Sequence, residues 1–446
     1  MFLTENTLES ALEDADDLGD GNCAAFPTVT PGDPVALDTT ENMRHLPFFT
    51  ELATLEDEDP SWRSVTAGLV VLRLVDSWIE EGAGMVAADS WGVRSVRAAI
   101  DDMPTGVPAR TILAGVVDAL TSSRGGDLHA VAPRLMAYAR SLDLDAQWSL
   151  AADVYETVIA HAHPIEDSDV AVNALLRRAH CLRELGELAV AMTTYGAAGQ
   201  VARANGNLIG DLRAQIGEAK ILAAKGNLPD ADTMLEEAAA RATVLELTEI
   251  RSAATHDRSH VAHLRGHYDA AVRFAYDAMR DSASEHERER ILNDLATSFH
   301  MLGDKSAARD AFLILASTAR EQYLRWTATI NLMELAAEDG VSIQFERYRQ
   351  QLASATLPPM LQVQFELHVG RGYQLFGEYD VAESWLTRAG RTASQHSFNQ
   401  LAFVAEDALA NNVRAARPSR VSVFEVPEDV RQIANELREM RELVKA

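Results

Sequence analysis

Glycines recur along this chain at a nearly fixed interval. Gly186, Gly226 and Gly266 are 40 residues apart, and Gly266, Gly303, Gly340 and Gly377 are 37 apart. A period of that length is the spacing of stacked helix pairs, in which each unit buries its apolar face only against its neighbours. Ala146 stands one further 40-residue step upstream, in the same turn position, and extends the array to seven units.

Residue size repeats with the same period. Seven positions before each turn stand Ala139, Ala179, Ala219, Ser259, Ala296 and Gly370, where a small residue lets two helices approach closely. Four positions before the turn come Leu142, Leu182, Leu222, Ala262, Phe299 and Tyr373. On the far side of the turn, Ala151, Ala191, Ala231, Ala271, Ala308 and Ala382 precede Tyr155, Tyr195, Leu235, Ala275, Phe312 and Leu386 by one helical turn. Small therefore faces large across each expected hairpin.

These residues resemble the tetratricopeptide (TPR) repeat family, most sharply in the run Gly370, Tyr373, Gly377, Tyr379, Ala382, Leu386 and Ala389. The resemblance covers roughly residues 128–415. It implies an all-α fold, a right-handed superhelical solenoid of antiparallel helix pairs with a concave groove that binds peptides or protein surfaces. The unit around Gly340 departs from the pattern, with Met333, Phe345 and Arg349 at three signature places, so an irregular pair is expected there.

Outside the array, the chain changes character. Residues 1–60 carry fifteen Asp and Glu against the single Arg44, so −14 of the net −27 lies in this stretch. With five prolines and no sustained period, it reads as an acidic, largely disordered tail. An EF-hand reading of Asp16–Gly21 fails, because Leu18 occupies a ligand position. Residues 61–127 read as a helical cap or degenerate repeats: Ser61 can cap a segment carrying Trp62, Val65, Leu69, Leu72, Val75 and Ile79, and further helices are expected near 90–102 and 109–120, with Gly82, Gly84, Gly125 and Gly126 in the turns between. They show no helix-turn-helix reading pattern. After a last helix near 398–413 and the breaker at Pro418, residues 416–446 form a linker and an amphipathic helix. Its stripe of Val430, Ile433, Leu437, Met440 and Val444 suits either a cap over the last repeat or a homodimer contact.

Composition narrows the function. A chain this acidic repels phosphate backbones, which argues against nucleic-acid partners. Cys23 and Cys181 alone can build no disulfide framework or thiolate metal site, and no apolar run approaches a membrane span, so a cytoplasmic protein is expected. No GxSxG, GxxxxGK[ST], GxGxxG or HExxH arrangement occurs, and neither an enzyme nor a cofactor is expected.

His256, His260, His263 and His267 fall at offsets that place four rings along one helix face. In TPR-like folds the groove is lined by the second, fifth, ninth and twelfth residues of each first helix, and His256, His260 and His263 match the last three of these. The ninth place reads Arg140, His180, Lys220, His260, Thr297, Glu334 and Arg371, and Asn173, Arg183, Arg213, Arg290, Asn293, His300 and Gln374 stand at other lining places. Asp143 and Glu334 dissent from an otherwise basic or neutral set. The leading expectation is a protein-interaction adaptor or scaffold whose groove takes a polypeptide segment, acidic in character, with the chain's own 1–60 tail as one candidate. If the four rings titrate near their ordinary value, the groove becomes more positive below about pH 6.5. The alternative is a regulatory sensor whose groove binds a short peptide or small ligand and changes conformation or oligomeric state. A third reading is a metal site on the stripe of His256, His260 and His263.

Overall fold

The computed structural model describes residues 44–56, 59–80, 87–88, 90–123, 128–163, 165–396, 398–412 and 426–445. The tail expectations for 1–43, the turn glycines 82, 84, 125 and 126 and the breaker at 416–418 lie outside these residues. The described residues form twenty α-helices and no strand. The chain divides into a unit Met1–Leu46 and a unit Pro47–Ala446, and every helix from the second onward belongs to the latter.

The first four helices are α1 (Leu46–Thr54), α2 (Pro60–Glu80), α3 (Trp91–Asp101) and α4 (Pro108–Ser122). The capping role expected of Ser61 falls to Asp59, whose carboxylate accepts from the Ser61 N–H at 2.8 Å while Pro60 takes the first helical position. Helices α2, α3 and α4 pack on one another, and α4 and α2 then lean on the first two helices of the array. A buried pair, His161 Nε2 to Asp76 Oδ1 at 3.1 Å, ties α2 to that array.

Fourteen helices then pair consecutively into hairpins: α5 (Leu128–Leu144) with α6 (Trp148–His161), α7 (Ser168–Glu184) with α8 (Leu188–Ala204), α9 (Leu208–Ala224) with α10 (Leu228–Val244), α11 (Thr248–Leu264) with α12 (Tyr268–Asp281), α13 (Glu285–Leu302) with α14 (Lys305–Thr318), α15 (Gln322–Glu338) with α16 (Ser342–Ala353), and α17 (Pro359–Phe376) with α18 (Tyr379–Gln395). Helix α19 (Asn399–Ala410) covers the last pair. This is an all-α, TPR-like solenoid of antiparallel pairs. Among the described residues, no helix is long and apolar enough to cross a membrane.

The turn ladder has a backbone cause. Each ladder glycine takes a left-handed conformation, from φ +71° at Gly340 to +89° at Gly303, which closes the hairpin and which a Cβ disfavours. Ala146 adopts the same conformation at φ +58° despite its side chain. Repeat geometry therefore overrides a local preference worth about 1 kcal/mol at that turn.

Close approach explains the small residues. A Cβ built on Gly370 would lie 2.6 Å from Leu386 Cδ2, the large partner across the hairpin. In the irregular unit, α16 has only twelve residues, and α15 packs directly onto α17 as well as onto α16. Phe345 is fully buried there, edge-on to Tyr373 and Phe376 at 5.4 and 5.2 Å, and a Cβ on Gly372 would overlap its ring.

Stacking has a direction. The first helices of neighbouring pairs (α5, α7, α9, α11, α13, α15, α17) touch in sequence, whereas no Cα atoms of neighbouring second helices come within 8 Å. First helices thus line the inner, concave face and second helices splay on the convex one.

The final helix, α20 (Glu428–Lys445), departs from both roles expected of it. It packs on α14 and α12, far from the last repeat. Val430, Ile433 and Leu437 are buried inside the same chain, which withdraws them from the homodimer stripe, while Met440 and Val444 remain exposed. Its charged residues find complementary partners on those two helices, in Arg273, Tyr276 and Asp310.

Two stability changes follow. Ala146→Gly should raise the unfolding free energy by up to about 1 kcal/mol in chemical denaturation, because it removes the left-handed penalty. Gly372→Ala should lower it by about 1–3 kcal/mol, because the Phe345 ring has no room to move away.

Candidate functional site

The concave wall is built from first helices, and the residues expected on it divide into a bonded ladder and an open recess. Every joint between successive first helices carries a polar rung. His180 Nε2 lies 3.5 Å from Asp143 Oδ1 across α5–α7, and Asn207 donates to Asp169 Oδ1 at 2.7 Å across α7–α9. Lys220 reaches Asp257 at 3.1 Å across α9–α11. Across α11–α13, His256 Nε2 meets Asp294 Oδ2 at 2.9 Å and His263 Nδ1 meets Ser298 Oγ at 3.1 Å. His300 Nε2 lies 3.1 Å from Glu338 across α13–α15, His368 Nδ1 lies 3.5 Å from Glu334 across α15–α17, and the Gln374 amide donates to the Ala408 carbonyl at 2.9 Å across α17–α19.

This arrangement corrects the expectation of a basic groove. Arg140 is held by Asp143 at 2.7 Å, Arg183 by Glu184 at 2.5 Å and Arg290 loosely by Glu287 at 3.9 Å. Arg371 lies close enough to Glu334 to lower its pKa, and the Asn173 amide donates to its own helix at the Asp169 carbonyl. Asn293 turns toward the neighbouring Asp294. Cations and carboxylates one repeat apart in sequence, such as His256 with Asp294 and His300 with Glu338, neutralise one another when the helices stack. Inspection of each helix alone does not reveal these pairs. A sequence signal exists nonetheless: opposite charges 37 or 38 residues apart on successive first helices.

The four-histidine stripe is corrected too. Burial would depress His256, but the Asp294 hydrogen bond and charge outweigh it and raise its pKa. His300 is raised in the same way by Glu338 against burial. His263 is buried, edge-on to Tyr268 at 5.2 Å, and burial pushes its pKa down to about 4, so that it stays neutral across the physiological range. His260 is lowered by desolvation, and His267 stands at the hairpin turn in the N-cap position of α12, without a capping bond from its side chain. His256 and His263 turn to separate partners on α13 and do not converge, which removes the metal reading. The carboxylates respond reciprocally: against the burial that would raise them, Asp294 and Glu338 are lowered by their histidines, and Glu334 is brought down to about 2 by His368, His300 and Arg371.

One recess breaks the neutralised wall. At the N-terminal ends of α7 and α9, Asn173, Asn207 and Arg213 line an open hollow of about 670 Å³, together with Val172, Leu208, Ile209, Leu245 and Leu247. Leu208, Ile209 and Leu245 are exposed, and the Arg213 side chain has no hydrogen bond or ion pair among the described residues. Of the fourteen expected site residues, the structure brings Asn173 and Arg213 together here. Sequence reading missed the aliphatic residues beside them, Leu208 and Ile209 in the first turn of α9 and Leu245 and Leu247 in the turn before α11. Cys181 is buried in α7, and burial pushes its thiol up to about 12, far from a reactive thiolate.

No protein-family model matches this chain, and no curated protein is similar to it in sequence. Among solved structures, the chain is similar to the Rap conjugation gene regulator of the plasmid pLS20 in complex with the Phr* peptide, at 14% identity and a TM-score of 0.48, covering 74% of this chain and 95% of that one. It is similar to a Rap protein complexed with competence and sporulation factor, at 14% identity and a TM-score of 0.41 over 83% and 99% of the two chains. A tetratricopeptide repeat protein from Parabacteroides merdae matches at 13% identity and a TM-score of 0.43 over 63% and 98%. These are likenesses of helical-repeat architecture.

The rungs give stability a pH dependence. His256 and His300 are raised, so their contribution is present in full below the ordinary histidine value and is lost as pH rises through their folded values. Asp294 and Glu338 are lowered, so their contribution is present above the ordinary carboxylate range and is lost as pH falls through their folded values. The lowered His260 and His263 act in the opposite sense, their contribution falling as pH drops below the ordinary histidine value, so the His256–Asp294 rung is isolated by comparing a variant with the native chain. His256→Asn should cost more stability at pH 6 than at pH 8, measured as paired unfolding curves of variant and native chain at the two pH values.

Proposed function

We propose that this protein is an adaptor that grips a polypeptide segment along its first-helix wall, and that the segment is anchored at the recess around Arg213. The observation that carries this reading is the contrast between the ladder and the recess. Where cations are already matched by carboxylates of the same chain, an incoming acidic group gains little. At Arg213 the guanidinium is uncommitted, it adjoins exposed aliphatic side chains, and the neighbouring Asn173 adds an amide oxygen that is free to accept. A segment that offers one carboxylate beside one or two aliphatic residues matches this chemistry. An extended, uniformly acidic strand matches it less well, because Asp169 also lines the hollow. The chain's own N-terminal residues, which combine Leu with Asp and Glu, belong to the class of segment that fits.

The expectation of a cytoplasmic protein without catalytic chemistry accompanies this proposal. A photo-crosslinking amino acid placed at Leu208 of the full-length protein tests it in a native extract. A discrete adduct, whether to another protein or to the chain's own N-terminal segment, is expected to lose about tenfold in yield with Arg213→Glu. A smear of products indifferent to Arg213→Glu would overturn the assignment of the recess.

A further inference from the structure

Among the described residues, helix α20 packs against helices that are all distant from it in chain order. It touches α12 and α14 and no other helix. No Cα atoms of α12 and α14 come within 8 Å of each other, so α20 fills an open channel between two second helices on the convex face. Among the described residues, no helix packs into the corresponding convex gap at the other joints of the array.

The channel is specific for the helix that lies in it. Val430, Ile433 and Leu437 supply the buried stripe. Asp429 pairs with Arg273 of α12 at the start of the helix, and Glu436 accepts from the Tyr276 hydroxyl at its middle. Arg441 meets Asp310 of α14 at 2.5 Å near its end. Asp310 is 3% exposed, and the ion pairs it makes come from α20, through Arg441 and, at 3.9 Å, Arg438. The channel therefore reads an amphipathic helix by its apolar spacing and by an acid-first, base-last order of charge.

The position of the channel links it to the groove. Helices α12 and α14 are the second helices of two adjacent pairs, and the first helices of those pairs, α11 and α13, are joined on the concave side by His256–Asp294 and His263–Ser298. One joint between repeats is thus clamped on both faces. We propose that the channel between α12 and α14 is a second, helix-binding site of this protein, with the chain's own C-terminal helix as its resident ligand, and that its occupancy sets the angle of the α11–α13 joint and so the shape of the groove wall. This goes beyond the adaptor reading and does not depend on the Arg213 recess. A partner presenting an amphipathic helix of the same pattern competes for the channel and changes the groove from behind. By reciprocity, a ligand that alters the α11–α13 joint alters the hold on α20.

The two raised histidines supply an internal comparison. His256 reports the α11–α13 joint, which α20 bridges, and His300 reports the α13–α15 joint, which it does not. The full-length chain carrying Val430→Glu and Leu437→Glu releases α20, and the titration of both rings is followed by NMR. The His256 midpoint is expected to fall by about half a pH unit or more while His300 holds. A synthetic peptide of residues 426–446 added to this variant should restore His256, and the same peptide with Asp429→Arg should do so at least about tenfold less well. Arg441→Asp, which sets a carboxylate against Asp310, is the second releasing variant and should act in the same direction. An unmoved His256 in a chain whose α20 amides exchange freely overturns the coupling. Joint movement of both histidines with no restoration by the peptide, or equal restoration by the Asp429→Arg peptide, overturns the helix-binding site.

Discussion

The structure depends on the fit of a small residue on one helix against a large one on the next. A small residue (Ala, Ser or Gly) seven places before six of the seven turns lets the second helix close on the first, and in five of those pairs a Tyr, Leu or Phe from the partner fills the space beside it. Because each pair buries its apolar face only against its neighbours, this local fit propagates into a solenoid with one continuous wall of first helices. Everything polar on that wall is placed by it. A rung such as His256–Asp294 exists because two first helices are held close enough for residues 38 apart to meet.

Partial burial gives the rungs their character. A histidine or carboxylate desolvated alone would lose its charge, whereas His256 and Asp294, and His300 and Glu338, each face an opposite charge that restores it, and His263, which faces a hydroxyl, stays neutral. These charges are consequently matched within the chain. The proposed anchor lies where one cation is left outside these pairs. Beside the Asn207–Asp169 rung, the Arg213 guanidinium has no partner among the described residues and adjoins the exposed Leu208, Ile209 and Leu245.

The two faces of the solenoid differ in what they leave open. On the concave side the first helices touch, and the gaps are closed by hydrogen bonds. On the convex side the second helices splay, and the gap between α12 and α14 receives a helix from the end of the chain. Its apolar stripe and its Arg441–Asp310 pair match this gap, and the last repeat is covered by α19 instead.

By itself the sequence determined the repeat. Turn glycines, the alternation of small and large residues and the apolar spacing are local properties whose physical meaning does not change with context, and they specify helix, turn and hairpin without reference to the rest of the chain. Even Ala146, which lacks the glycine, was legible from its place in the period. Only the tertiary structure decided which charges cancel, which histidines stay neutral and where α20 docks. The reason is distance along the chain: His256 and Asp294, or Arg441 and Asp310, become neighbours only when separate helices pack. A pKa, an ion pair or a docking channel belongs to that juxtaposition and not to either residue alone.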